Sequence, residues 1–350
     1  MRAIRYHGFG GPMKIENIDD PVAGPEEVVI QVKACQIGAD VLKIMAGAGV
    51  VRNADSFIFP HTPGYRGAGV IESVNSSDTA LEPGDRVIVN GFVSCNTCDD
   101  CRSGRDNLCT NSRMLGVDSG SPGAFAEKFK APVRAVFKLP DSVSYTQATL
   151  FSNIGLLVHA LERAAVRPGS TMAIFGCGLV GSCAITVARA YGASQIIGVD
   201  TKAEALELAL RCGADEVVNS SSGDIVADIL KKTGGRGVDV AIEIVGIDST
   251  IDQAIQSTTK RGITLLIGAL KGVSLSFPEY YRDIIQKEVD LRACFGKTRD
   301  DFALGLKLAS AGLITLTEYR FKEHTLDTFE FAVDEASRPG NNDIHVITMK

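Results

Sequence analysis

The chain has 350 residues, 45% hydrophobic and 22% charged, the composition of an ordinary globular protein long enough for two domains. A formal net charge of -6 with no Lys/Arg block argues against a nucleic-acid partner, because phosphate binding needs a basic face. No apolar run approaches the ~20 residues that span a bilayer, and MRAIRYHGFGGPMKIEN lacks the apolar core of an export signal, so the expectation is a cytoplasmic protein without a membrane partner.

The first third reads as β-rich. EEVVIQVKAC, GAGVIESV and DRVIVNGFV alternate as strands do, with turns such as EPGD between them. From about Ile154 the pattern changes. Strand TMAIFG leads into helix VGSCAITVARAYGA, then strand QIIGVD, helix KAEALELALRCGA, strand EVVN and helix DIVADILKKTGG. Strand VDVAIEIVG, helix STIDQAIQSTT and strand GITLLIG follow. Strands alternating with helices of this length make βαβ units and a parallel sheet. The tail from about Phe295 holds helix DDFALGLKLASAG and ends in strand HVITMK. The fold class is α/β, a β-rich domain followed by a doubly wound parallel-sheet domain and a return segment.

IFGCGLVG carries Gly176-x-Gly178-x-x-Gly181 directly after a strand and at the opening of a helix. In that context the first glycine turns the chain, the second admits a pyrophosphate, and the third lets helix and strand pack closely. Leu179 and Val180 sit between them at the helix N-terminus, whose amides face the anion. Asp200 ends the next strand, nineteen residues past Gly181, where a carboxylate accepts from the adenosine ribose hydroxyls. A 2′-phosphate there meets like charge, which favours NAD(H) over NADP(H). Lys202, two residues on, is either a ribose or phosphate contact or a solvated lysine at the helix start.

CNTCDDCRSGRDNLC places Cys95, Cys98, Cys101 and Cys109 in fifteen residues. Four thiolates on a tight loop close around one Zn²⁺ in an S₄ site that leaves no position for substrate, and a reducing compartment favours a structural metal over disulfides. The other five cysteines (Cys35, Cys177, Cys183, Cys212, Cys294) lie singly in apolar stretches and are expected as buried small hydrophobes.

In this order, GPEEVVIQVKAC, TPGYRGAGVI, LEPGDRVIV, the four-cysteine lobe, the Gly176–Gly181 loop with Asp200 and VDVAIEIVG resemble the zinc-containing alcohol dehydrogenase branch of the medium-chain dehydrogenase/reductase superfamily. The resemblance implies a GroES-like substrate domain at 1–152 and 295–350, with a structural zinc lobe at about 91–113. It implies a Rossmann domain at 153–294, a cleft between the domains, a small-molecule substrate, and a homodimer or homotetramer. By position it adds Val245, Ile267, Gly268, Ala269 and Phe295 as contacts on the nicotinamide side. It also makes His345 either a pyrophosphate contact or an exposed strand histidine.

The resemblance further implies a catalytic zinc held by a Cys before a G-[ST]-D tripeptide, the His of G-H-E, and a Cys or Glu near the domain junction. At those positions this sequence has Ile37, Gly64-Tyr65-Arg66 and Ser152. Ala39 and Leu42 stand where a proton relay would run. Cys35 is two positions out of register, His61 is expected on a surface loop, and His159 as a packed or capping residue. The expectation is no catalytic zinc. Tyr65 then donates a proton or fills the metal's volume, and Arg66 supplies a fixed cation or pairs with Asp40 to fix the turn. Three functions follow: reduction of an α,β-unsaturated carbonyl or iminium, alcohol/carbonyl oxidoreduction with Tyr65 in place of zinc, or nucleotide binding without turnover.

Overall fold

The computed structural model describes residues 1–38, 42–43, 57–221, 223–268, 277, 279–338 and 343–349. Asp40 and Ala269, among the expected site residues, lie outside them. The described strands begin with β1 (Arg2–Tyr6), β2 (Met13–Asn17), β3 (Glu27–Gln36), β4 (Gly67–Asn75), β5 (Arg86–Val89), β6 (Phe92–Val93), β7 (Arg113–Met114), β8 (Lys128–Pro132) and β9 (Val136–Lys138). They continue with β10 (Thr171–Phe175), β11 (Gln195–Asp200), β12 (Glu216–Asn219), β13 (Val238–Glu243), β14 (Thr258–Leu266), β15 (Asp290–Ala293), β16 (Phe321–His324) and β17 (Ile344–Thr348). The α-helices among the described residues include α1 (Asp99–Arg102), α2 (Tyr145–Ala148), α3 (Phe151–Arg163), α4 (Leu179–Ala190), α5 (Ala203–Arg211), α6 (Ile225–Lys232), α7 (Asp248–Ser257), α8 (Arg299–Ser310) and α9 (Phe329–Ser337).

The chain divides into two compact units, Met1–Ser152 with Thr298–Ser310 and Tyr319–Lys350, and Asn153–Lys297 with Ala311–Glu318. Residues 295–297 and 311–318, assigned to the first domain from sequence, thus pack with the second unit.

In the first unit, β16-β17-β3-β4-β5-β9 form one sheet, and β8 adds to β3. The ten residues of β3 reach three partners. Its first half pairs with β8, its last residues with β17, and its other edge with β4. Alternation puts Val28, Ile30 and Val32, and the register shift between Val32 and Ala34 puts Cys35, into a core with Val87, Phe125, Phe129, Phe329 and Ile347. The stretch DRVIVNGFV is not one strand but two, β5 and β6, parted at Asn90 and Gly91. Here the chain presses on the neighbouring turn, where a Cβ on Gly91 would stand 2.6 Å from the Tyr65 carbonyl oxygen.

The second unit is a six-stranded parallel sheet in the order β12-β11-β10-β13-β14-β15. Counted from β10 this is 3-2-1-4-5-6, the doubly wound order whose reversal between β10 and β13 opens a crevice at the strands' C-terminal ends. Strands covered on both faces carry continuous apolar runs, and TMAIF of β10 is buried from Met172 to Phe175. The helices bury one stripe each, as α5 does with Ala205, Leu206, Leu208 and Ala209. Asp224 caps α6 by accepting the Ala227 amide at 3.0 Å.

Candidate functional site

The segment before β4 is held by backbone bonds to 123–125: the Gly123 amide donates to the Thr62 carbonyl, Phe125 to Pro63 and Ala124 to Gly64. Gly64 has φ +105°, and a Cβ there would lie 2.8 Å from the Phe125 nitrogen and 3.0 Å from Cys35 Sγ, so only glycine fits this turn. The turn fixes the next two side chains. Arg66 is buried, and its guanidinium carbon lies 5.0 Å from the Tyr65 ring centroid. Its Nη2 donates to Tyr65 Oη at 2.7 Å and its Nη1 to Gln36 Oε1 at 2.8 Å. Guanidinium has no acceptor, so Tyr65 Oη accepts this bond and its own proton points elsewhere.

Gln36, at the end of β3, is buried and was missed from sequence, since nothing local in KACQIGAD marks it as Arg66's partner. Cys35 is fully buried, and burial pushes its thiol well above the ordinary range although the Arg66 amide bonds to it. A thiol held this way is a poor metal ligand. Ile37 packs in the same core, and Leu42 lies half-buried against it. His61 is no surface residue: it is 3% exposed, with its ring edge-on to Tyr6 and Phe57. One of these rings, Phe57, lies four residues before it, and the other, Tyr6, comes from β1. His345 is likewise buried, not exposed, and its Nδ1 lies 3.0 Å from Nε2 of His324 in a stacked pair.

In the second unit the glycine loop has the shape its spacing implies. Gly176 turns at φ +94°. A Cβ on Gly181 would stand 1.7 Å from the Gly176 carbonyl oxygen, whereas one on Gly178 would meet nothing within 4 Å. The third glycine is therefore demanded by packing, and the second faces open space of the kind a pyrophosphate fills. Gly178 caps α4 without a side-chain acceptor, leaving the first-turn amides at Leu179 and Val180 to an anion. Asp200 ends β11, where Oδ2 accepts the Cys177 amide at 2.8 Å and Oδ1 the Lys202 amide at 2.9 Å. Each oxygen keeps a second lone pair for a ribose hydroxyl. Lys202 precedes α5 with its side chain exposed. Val245, Ile267 and Gly268 stand at the C-terminal ends of β13 and β14, and Phe295, 63% exposed, follows β15. These residues suit a dinucleotide.

The four sulfurs of Cys95, Cys98, Cys101 and Cys109 lie within 4.8 Å of one another, the one group of three or more metal-ligating side chains found among the described residues. Cys95 and Cys101 are 3.9 Å apart, Cys98 and Cys101 3.4 Å, close to the ~3.8 Å edge of an S₄ tetrahedron around zinc. The Thr97 hydroxyl and amide and the Cys98 amide all donate to Cys95 Sγ, and the Thr97 hydroxyl leads in holding that thiol down at about 5. Burial, aided by the neighbouring sulfurs, pushes Cys101 up to about 12. Four thiolates so close require a cation, and the donor set fits zinc. Among the isolated cysteines, Cys35, Cys177, Cys183 and Cys212 are buried as expected, but Cys294 is only partly so.

A doubly wound sheet with a glycine-rich loop, joined to a β-domain with a four-cysteine lobe, defines a dinucleotide-dependent oxidoreductase. Residues 24–141 match the alcohol dehydrogenase GroES-like domain and residues 180–311 the zinc-binding dehydrogenase family. Sorbitol dehydrogenase of Bacillus subtilis (strain 168) is 31% identical over 340 residues, 96% of this chain and 93% of that protein. The crystal structure of AibC superimposes with a TM-score of 0.89 at 28% identity, covering 99% of this chain and 95% of that one. A zinc-binding dehydrogenase from Sinorhizobium meliloti 1021, bound to NADP, gives 0.88 at 25% identity over 99% of each chain. The chain belongs to the zinc-type, alcohol dehydrogenase-like branch of the medium-chain dehydrogenase/reductase superfamily. It is an NAD(P)-dependent oxidoreductase, with the GroES-like and Rossmann-type folds expected from its sequence. No helix among the described residues is long and apolar enough to cross a membrane.

Proposed function

We propose that the protein is an NAD(H)-dependent reductase that works without a catalytic zinc and saturates an activated double bond, in an α,β-unsaturated carbonyl or an iminium. The observation that carries this reading is the bonded series Gln36–Arg66–Tyr65, in which Tyr65 stands at the position of a ligand histidine and Arg66 at that of its neighbouring glutamate. The apolar packing of Ile37 supports it.

Gly176, Gly178, Leu179, Val180 and Gly181 would hold the pyrophosphate, Asp200 the adenosine ribose, and Val245, Ile267, Gly268 and Phe295 the nicotinamide side. A nicotinamide dinucleotide bound there supplies hydride. With an enone, the chain's own task is to meet the negative charge that develops on the carbonyl oxygen; an iminium nitrogen is neutralised by the hydride itself and needs no proton. In a conjugate reduction hydride arrives at a carbon remote from that oxygen, so a hydrogen bond and a proton can serve in place of a Lewis acid. Tyr65 Oη is the donor. Arg66, bonded to the same oxygen, stabilises the phenolate left behind, and Gln36 keeps Arg66 in place. Asp40 is the further residue proposed to fix the turn. The same proposal gives Cys95, Cys98, Cys101 and Cys109 one structural zinc per chain, and the cytoplasm as the reducing compartment that keeps them as thiols.

A second reading, alcohol or carbonyl oxidoreduction with Tyr65 in place of zinc, is favoured by the sorbitol dehydrogenase relative. One panel separates the two: purified protein, NADH or NADPH, and a set of enones, iminium ions, aldehydes and ketones, followed at the reduced-nicotinamide absorbance. Turnover of enones or iminium ions with NADH supports the first reading. Turnover of aldehydes and ketones alone replaces it with the second, and a preference for NADPH overturns the cofactor assignment.

We also propose a homodimer or homotetramer. β15 is an edge strand, and Tyr280, Tyr281, Ile285 and Leu291 expose apolar surface near it in the chain. Sedimentation at micromolar concentration giving a monomer would end that proposal.

A further inference from the structure

β13 ends on Glu243, an acid with no exposed surface, at the C-terminal edge of the parallel sheet. Two loops converge on it. Its backbone carbonyl accepts the Ile267 amide at 2.9 Å and the Gly268 amide at 3.1 Å, which fixes the chain leaving β14. Its Oε1 accepts the Gly246 amide at 2.8 Å and the Thr250 hydroxyl at 2.7 Å, which fixes the turn into α7. The other oxygen, Oε2, is buried with no hydrogen-bond partner among the described residues. A Cβ on Gly268 would come within 2.7 Å of that oxygen and 2.2 Å of the Gly246 nitrogen, so the loops meet with no room for a side chain between them.

An unmade bond to a buried acceptor is costly, so an apolar residue would be the cheaper filling here. What the acid provides is the hold on the turn into α7, at the residue whose carbonyl already holds the end of β14. The joint also reaches the glycine loop: the Ile244 amide donates to the Phe175 carbonyl, and a Cβ on Gly176 would strike Val245 Cγ2 at 2.8 Å. Val245, 37% exposed, and Gly268 are the outward residues of this joint. Sheet order puts β13 and β14 across the switch point from Asp200 on β11, which separates the joint from the adenosine end.

We infer that Glu243 is a positioning residue for the nicotinamide half of the dinucleotide, its carbonyl holding the end of β14 and its carboxyl holding the turn after β13, so that Val245 and Gly268 present one surface. This rests on the dinucleotide reading given above. It does not make Glu243 a catalytic residue.

The test compares NADH with ADP-ribose, which lacks the nicotinamide, in binding titrations on wild type, Glu243→Gln, Glu243→Leu and Thr250→Val. Glu243→Leu should weaken NADH roughly tenfold, the loss of about one charge-assisted bond's worth of preorganisation, while ADP-ribose changes less than about twofold. Glu243→Gln, which keeps an acceptor at Oε1, should stay within about threefold of wild type for both ligands. If Glu243→Leu does not fold, Thr250→Val, which removes one donor to Oε1, should give the same selective loss at about threefold. Equal weakening of both ligands, or unchanged NADH affinity in the folded variants, overturns the inference while leaving the dinucleotide reading intact. Failure of wild type to bind either ligand overturns both.

Discussion

The cysteine lobe and the Tyr65 turn occupy the two places where the family's pattern implies metal, and they diverge completely in chemistry. At the lobe four sulfurs stand within 4.8 Å of one another, with amides and a hydroxyl directed at Cys95. At the turn a phenol, a guanidinium and an amide bond to one another, and the nearest thiol is buried and held protonated. The lobe is a set of sulfur donors that fits a metal cation, whereas the turn is built around a cation of its own, Arg66. In the reading proposed above, the metal that holds the fold is kept while the position devoted to chemistry is rebuilt from organic groups.

The largest effect should come from the lobe. Zinc analysis should return about one ion per chain, and Cys98→Ser should abolish that ion and lower the melting temperature by on the order of 10 °C. Two ions per chain in the wild type would end the zinc-free reading of the turn, and no ion at all would end the structural-zinc reading. Next comes Tyr65→Phe, which keeps the ring and its packing but removes the proton. Turnover in the enone assay should fall ~10²-fold with zinc content unchanged, and undiminished turnover would leave Tyr65 as a filler of space.

A smaller effect should come from His61, four residues ahead of Tyr65. Burial is the main cause that lowers its pKa from the ordinary 6.5 to about 4. The folded state thus binds fewer protons than the unfolded one between those values. The stability from a neutral His61 is complete above pH 6.5 and drains away as the pH falls toward 4, with about 2 kcal/mol gone by pH 5. Chemical denaturation of wild type and His61→Phe at pH 7 and pH 5 checks this. A slope that survives the substitution would assign the acid sensitivity to another group.

What the sequence disclosed and what it hid divide along contact range. The glycine loop and the cysteine lobe were legible because each is built within about twenty residues, and its spacing is its geometry. The parallel sheet was legible because strands buried on both faces write themselves as apolar runs. Gln36 was not legible, since its bond to Arg66 crosses thirty positions and depends on how β3 pairs with β4. His61 was misread for the same reason: a polar residue near a turn reads as exposed until Tyr6 arrives from β1 to enclose it beside the nearby Phe57. The break in DRVIVNGFV likewise depends on a neighbour, the Tyr65 carbonyl pressed against Gly91.

The pairing of β17 with β3, which sets Ile347 opposite Cys35, has a consequence for synthesis on the ribosome. All six strands of the second unit are made before β17 emerges, so that unit can close its own sheet while the first still lacks a strand. At ~5–20 residues per second, β3 waits on the order of 15 to 60 s with part of one edge unpaired. During that interval the strand that carries Cys35 and Gln36, and with it the seat of Arg66, is a place where a chaperone or a second nascent chain can bind.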